Sequence, residues 1–292
     1  MEEKLIKAGK IAAEALEYGK SMIRPGVKLV DVCDEVEKKI KSLGGEMAFP
    51  VQVSMNDVAA HFCPNEDDSI VFTDQIVSLD VGVSVDGFIG DTALTVDLSG
   101  KNAELVKASK EALDNAINVV KPGVKTREIG KIIHKTITSY GFAPIRNLSG
   151  HGLGEYNIHT KPNIPNYDNG DNTLLKEGDV IAIEPFASTG SGVVYESGQG
   201  TVFVLAQKKP VRNMITRNVL KEIESYKDLP FCRRWLNLKF GVAKTNFALR
   251  ELRAIDSVRD YPPLVDQSHG LVSQAEHSLI VTKDGCKVLT LK

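Results

Sequence analysis

The sequence predicts an α+β domain built from two copies of one unit around a curved antiparallel sheet. Three observations carry that expectation. Residues 75–96 alternate apolar with small or polar side chains, break at Asp86-Gly87, and alternate again, which is the pattern of a long hairpin. The order helix, helix, irregular stretch, strand pair then occurs a second time. Finally, Pro25-Gly26-Val27-Lys28, which ends the first helix, returns as Pro122-Gly123-Val124-Lys125 at the same place in the second copy.

The elements follow in order. Leu5, Ala8, Ala12, Ala15 and Leu16 recur at helical spacing, and Arg24-Pro25-Gly26 ends that helix. A second helix spans about 29–43, with Val36 and Ile40 facing inward, and stops at Gly44-Gly45. An irregular stretch then leads into the hairpin. After it, a helix opens at Leu105 and another runs over about 127–140. The second strand pair is expected to be VIAIEPF with GTVFVL, around Ser191-Gly192. From about 207 to 263 the pattern changes to short helices rich in Lys and Arg, read as a helical subdomain inserted into a single domain of 1–292. Strand alternation resumes at SQAEHSLIV, with a closing turn at Asp284-Gly285.

Composition narrows the function classes. The chain has 292 residues, 25% charged and 42% hydrophobic, with a formal net charge of −2, so no global field directs it to nucleic acid or acidic lipid. Its four cysteines include no C-x-x-C pair, which argues against a thiolate zinc site and fits a reducing, cytoplasmic setting. No apolar run approaches the ~20 residues needed to cross a bilayer. The first twenty residues mix Glu and Lys into every turn, unlike an export signal.

The chemistry is expected at the hairpin. Asp86-Gly87 suits a type I′ turn, which needs positive φ at both central positions. With that turn, Asp80 lies opposite Ala93 and Asp91 opposite Gly82. The two aspartates then share a face, with Cβ atoms within roughly 7–8 Å. Two carboxylates buried together repel and lose hydration, so a cation is the expected compensation, and Gly82 leaves space above the sheet for it. The alternative places both at strand ends in solvent, because a one-residue slip in register reverses the faces. Three further residues stand out. His151 lies between glycines in a loop, Glu184 interrupts the apolar run 180–183, and Glu276 sits in SQAEHSLIV on one face with Gln274 and Ser278. Singly, each has an ordinary reading: a solvated loop histidine, a strand-end carboxylate, or an edge strand with a wet face. Together, four carboxylates and one imidazole suit Mn(II), Fe(II), Co(II) or Zn(II).

The ordered set Asp80, Asp91, His151, Glu184, Glu276 resembles the ligands of the methionine aminopeptidases, which belong to the pita-bread metallopeptidases. The stretches DVGVSVDGFIGDTALTV, GHGLGEYNIH, IAIEPFAS and AEHSLIV carry the likeness, which extends over nearly the whole chain. The helical segment before Glu276 is similar to the type II subclass, and the short N-terminus is similar to archaeal members. The resemblance implies a pseudo-symmetric pita-bread fold and two divalent ions. Asp80 would chelate one ion, Asp91 and Glu276 would bridge both, and His151 and Glu184 would complete the other. It also implies a nucleophilic hydroxide bridging the ions, with Glu184 carrying a proton to the leaving amine. His61 would contact the scissile amide and His159 the substrate carbonyl. Phe49, Ile158 and Tyr261 would line the methionine pocket. Val58 departs from relatives that have cysteine there.

The activity so implied is removal of initiator methionine from nascent chains whose second residue is small, by a monomer that does not bind membranes. Aminopeptidase P and prolidase resemble the same ligand arrangement but usually carry an extra N-terminal domain, whereas this sequence opens on its first helix. A non-enzymatic relative that binds RNA or the ribosome is the rival from another class. The basic segment leaves room for transient ribosome association even in an enzyme.

Overall fold

The computed structural model describes residues 2–291; the first and last positions of the expected 1–292 domain lie outside the described residues. Helical spacing of apolar residues gives α1 (Glu2–Met22) and α2 (Leu29–Ser42). Short strands β1 (Glu46–Met47), β2 (Gln52–Met55) and β3 (Val58–Ala60) lead to the hairpin β4 (Ile76–Val85) and β5 (Phe88–Asp97). The second half repeats the order with α3 (Ala103–Ile117), α4 (Thr126–Ser139), β6 (Ala143–Pro144), β7 (Ser149–Gly154), β8 (Asn157–Pro165) and β9 (Val180–Ile183). Next come β10 (Phe186–Ser188), β11 (Val194–Glu196), β12 (Val202–Leu205), α5 (Met214–Ser225), β13 (Phe231–Cys232), α6 (Arg233–Phe240) and α7 (Val242–Ala254). The chain closes with β14 (Val258–Tyr261), β15 (Leu264–Asp266), β16 (Val272–Gln274), β17 (Glu276–Val281) and β18 (Cys286–Val288).

The main sheet runs β1-β4-β5-β17-β9-β7-β8, with β2 beside β4 and β18 beside β17. All its pairings are antiparallel. Its symmetry is visible in that order: β4-β5 on one side of the β5/β17 seam answers β9-β17 on the other. Leu79, Val81 and Val83 point to one face and bury against Ala12, Leu16, Val36 and Ile40 of α1 and α2. Ile181, Ile183 and Leu279 do the same beneath Leu105, Leu113, Ile129 and Ile133 of α3 and α4. The functional side chains are left the opposite face.

The repeated P-G-V-K turns match in their bonding. The Gly26 N–H donates to the Phe72 carbonyl and the Gly123 N–H to the Leu175 carbonyl, both at 2.9 Å. In return, the Phe72 N–H donates to Val27 and the Leu175 N–H to Val124, again at 2.9 Å. Gly26 and Gly123 both sit at positive φ (89° and 85°), which glycine adopts without a Cβ penalty.

The expected second strand pair is corrected. GTVFVL is not the partner of VIAIEPF. Residues Val202–Leu205 pair with β13 and β14 in a separate three-stranded sheet, while β9 pairs with β17 and β7. The second hairpin is therefore interrupted, its strands separated by everything between Glu184 and Ala275. Helices α5–α7 lie in that interval and pack around Val219, Ile223, Leu236, Leu249 and Leu252, against Phe203 and Phe231. Among the described residues, no helix is long and apolar enough to cross a membrane.

Candidate metal centre and cleft

The hairpin register is the one the Asp-Gly turn dictates: Val85 faces Phe88, Asp80 faces Ala93 and Gly82 faces Asp91. Asp86 has φ 51° and Gly87 φ 91°, as a type I′ turn requires. Glu276 also lies opposite Ala93, from the other side of β5, so Asp80 and Glu276 flank one small residue with Asp91 two positions away. Strand β17 is central, between β5 and β9, and Glu276 is 2% exposed, which disposes of a wet edge. His151 lies in strand β7, not in the expected loop, opposite Ala182 of β9. Its flanking glycines allow the strand to lie close to its neighbours, since a Cβ at Gly150 would fall 2.3 Å from the Ala182 carbonyl and one at Gly152 2.2 Å from that of Lys161. Glu184 follows the last residue of β9.

These five side chains share the floor of one cleft of about 300 Å³. His151 Nε2 is 3.6 Å from Glu184 and 3.9 Å from Asp91. Among the described residues, Asp91, His151 and Glu276 form a group whose donor atoms all lie within 4.8 Å of one another. Negative charge accumulates here without a lysine or arginine among the lining residues. Burial pushes the Asp80 carboxyl up to about 7, a Gln274 hydrogen bond only partly offsetting it. Burial and then the Asp80 charge raise Asp91 well above the usual range. Glu184 and Glu276 are raised first by burial and then by their carboxylate neighbours. Burial also drops His151 to about 3, so its imidazole is neutral at pH 7 and free to act as a ligand. Asp80 Oδ1 and Asp91 Oδ1 are buried with no hydrogen-bond partner. Orphaned carboxylate oxygens beside an uncharged imidazole make a donor set that fits hard or borderline divalent metal.

The remaining expected residues also reach the cleft. His61 is held at φ 67° with its N–H donating to Gln52 Oε1 at 2.8 Å, and burial drops its imidazole to about 4. Its ring meets Tyr261 edge-on at 5.4 Å. His159 stands at the exposed rim with its ring 4.6 Å from that of His151. Phe49, Ile158 and Tyr261 line the walls. The space above Gly82 is not a cation site, however. A Cβ there would lie 2.1 Å from the Phe49 ring, so the glycine makes room for an apolar wall.

Two contributors are not singled out by the sequence. Gln274 shows there only as sharing a face with Glu276, yet its amide donates to Asp80 at 3.4 Å. Ser278 bonds the main chain of Asp91 from the neighbouring strand. The signal for both is their even spacing with Glu276 along SQAEHSLIV, which puts all three on one face.

Comparison with known proteins agrees with this geometry. Residues 3–207 match the model of metallopeptidase family M24. A methionine aminopeptidase from Archaeoglobus fulgidus is 47% identical over 290 residues, covering 99% of this chain and 98% of its own. The crystal structure of methionine aminopeptidase from Thermotoga maritima superposes with a TM-score of 0.73 at 27% identity, covering 99% of this chain and 96% of the other. A thermophilic Arx1 superposes with a TM-score of 0.84 at 18% identity over 98% and 90%, a likeness of fold alone. The resemblance carried by the four motifs is borne out, and the chain belongs to metallopeptidase family M24, alongside the archaeal methionine aminopeptidases.

Proposed function

We propose that this protein is a methionine aminopeptidase that removes the N-terminal methionine of peptides whose second residue is small. The observation that carries the reading is the convergence of Asp80, Asp91, His151, Glu184 and Glu276 on one cleft floor beneath the apolar walls Phe49, Ile158 and Tyr261. An unbranched thioether suits an apolar slot of that kind. Divalent metal, two ions in this reading, would be held by those five side chains and would supply Lewis-acid polarisation and a nucleophilic water near neutral pH.

The chain's own residues do the rest. Glu184 takes a proton from the attacking water and returns it to the leaving amine. His61, neutral at pH 7, hydrogen-bonds the scissile amide, and His159 at the rim orients the substrate carbonyl. The walls hold the methionine side chain and keep bulk water from the floor. Nascent chains are the natural substrates, which places the work in the cytoplasm, by a monomer. Thirteen Lys and Arg against six Asp and Glu between 207 and 263 favour transient contact with an anionic surface such as the ribosome.

The test is hydrolysis of Met-Ala-Ser against Xaa-Pro peptides by metal-supplemented protein. Release of methionine from the first is expected, and turnover of Xaa-Pro peptides alone overturns the reading.

A further inference from the structure

Segments beyond β9 meet the cleft at few points, and Pro230, Val202 and Tyr261 are three of them. Those three are not independent. Cys232 pairs with Val202 and Val202 with Tyr261, so one row across β13, β12 and β14 forms that wall. Arg234 follows two residues after the end of this row, in the first turn of α6. It is the largest of the fully buried side chains, at 2% exposure.

Its carboxylate partners come from α2, in the first half of the chain, and not from the helical segment that carries Arg234. Arg234 Nη2 donates to Glu37 Oε1 at 2.7 Å and Nη1 to Glu37 Oε2 at 3.2 Å, and Nη1 also bonds Asp34. Trp235 Nε1 donates to Glu37 Oε2 at 2.8 Å. Asp34 and Glu37 stand on neighbouring positions of one face of α2, the helix packed under the hairpin strand that carries Asp80. The Asn237 amide adds bonds of 2.8 and 2.9 Å to Glu66, also outside the helical segment. A planar fork satisfying both oxygens of one carboxylate fixes angle as well as distance, which an ammonium cannot do. Stability alone is a weak reason for such a pair, since apolar replacements of buried ion pairs are often neutral or stabilising.

We propose that Arg234 is a positioning residue for the cleft. Its forked pairing with Glu37 sets the distance between the Pro230–Val202–Tyr261 wall and the carboxylate floor, and thereby the width of the slot that accepts methionine. The inference rests on the methionine-specific reading. Through Tyr261, which meets the His61 ring, a shift of the wall also reaches the group that contacts the scissile amide.

The experiment measures kcat and KM on Met-Ala-Ser and Leu-Ala-Ser for wild type, Arg234→Lys and the paired apolar variant Glu37→Leu/Arg234→Met, with thermal unfolding of each. The paired variant removes both buried charges of the pair together, so it keeps the question answerable if Arg234→Lys does not fold. The expected result is a KM for Met-Ala-Ser raised about tenfold with kcat within about threefold, and a Met-over-Leu preference reduced about tenfold. Both changes are expected in every variant that folds. A folded variant with unchanged KM and unchanged preference overturns the inference, whatever its melting temperature. Wild type that fails to release methionine overturns the underlying reading, and a change in stability alone marks Arg234 as merely structural.

Discussion

The hydroxyl of Ser278 accepts the N–H of Asp91 and donates to its carbonyl, both at 2.8 Å, although 187 residues separate the two. This one side chain stitches β5 to β17 across the seam between the two halves, at a carboxylate residue of the candidate metal centre. Ser278→Ala leaves two buried main-chain groups of Asp91 without partners. A stability loss of ~1–3 kcal/mol is expected in chemical denaturation, because unmade buried hydrogen bonds cost about that much. Activity should fall with it, and metal should dissociate more readily.

The carboxylate cluster is expected to oppose folding when no cation is present. Burial and mutual repulsion raise Asp91, Glu184 and Glu276, so folding without a cation either holds each one charged where the neutral form is preferred or makes it take up a proton, and both cost stability. Treatment with a chelator should therefore lower the melting temperature. Adding Mn(II) or Co(II) back at about a hundred times its dissociation constant should restore about 2.7 kcal/mol. In chelated protein, Asp91→Asn should melt higher than wild type, and a lower melting point would contradict the electrostatic account.

Gly82 is required by the ring of Phe49, which occupies the place a Cβ would take. Gly82→Ala should force that ring out of the wall. The expected cost is ~1–3 kcal/mol in stability, the usual size of overpacking, together with a larger loss in kcat/KM for methionine peptides. Gly100→Ala is a control of the opposite kind: a Cβ there meets nothing within 4 Å, but φ is 69°, so it should cost some stability through backbone strain and leave catalysis unchanged.

Asp266 supplies the pH dependence that lies away from the centre. It is fully buried, which alone would raise its carboxyl. The N–H groups of Ser268, Ser191 and Gly270 and the Ser188 hydroxyl bond its charged form and hold it below the usual carboxylate range. A depressed folded value means that its stabilisation is present above the unfolded pKa of about 3.9 and lost as pH falls through the lower folded value. The stability gap between wild type and Asp266→Asn should be constant from about pH 5 to 7 and narrow below about pH 4. A gap that does not narrow in acid would show that the charge is not what those donors stabilise.

Local pattern makes much of the site legible. The hairpin register follows from two turn residues and the alternation over residues 75–96, and this alone puts Asp80 and Asp91 on one face. The repeat carries the overall architecture. Relationships between distant segments are another matter. β9 finds its partner in β17 only after the whole interval of β10–β16 and α5–α7, and VIAI alone does not distinguish EHSLIV from the nearer GTVFVL. The gap above Gly82 reads as empty because nothing in the hairpin says that Phe49 fills it. His151 reads as a loop residue because its glycines, which permit close strand packing, are also turn formers. Arg234 is one cation among many in a basic stretch, and only α2, far away in the chain, supplies the carboxylates that distinguish it.

The central claim is that Asp80, Asp91, His151, Glu184 and Glu276 together hold catalytic metal. Calorimetric titration of Mn(II) into chelator-treated wild type and into Asp91→Asn/Glu276→Gln, with methionine release followed in the same samples, tests it most directly. The account predicts stoichiometric binding and activity rising together in wild type, and both lost in the double variant while the protein remains folded. Metal-dependent methionine release by the folded double variant at the wild-type rate would contradict it.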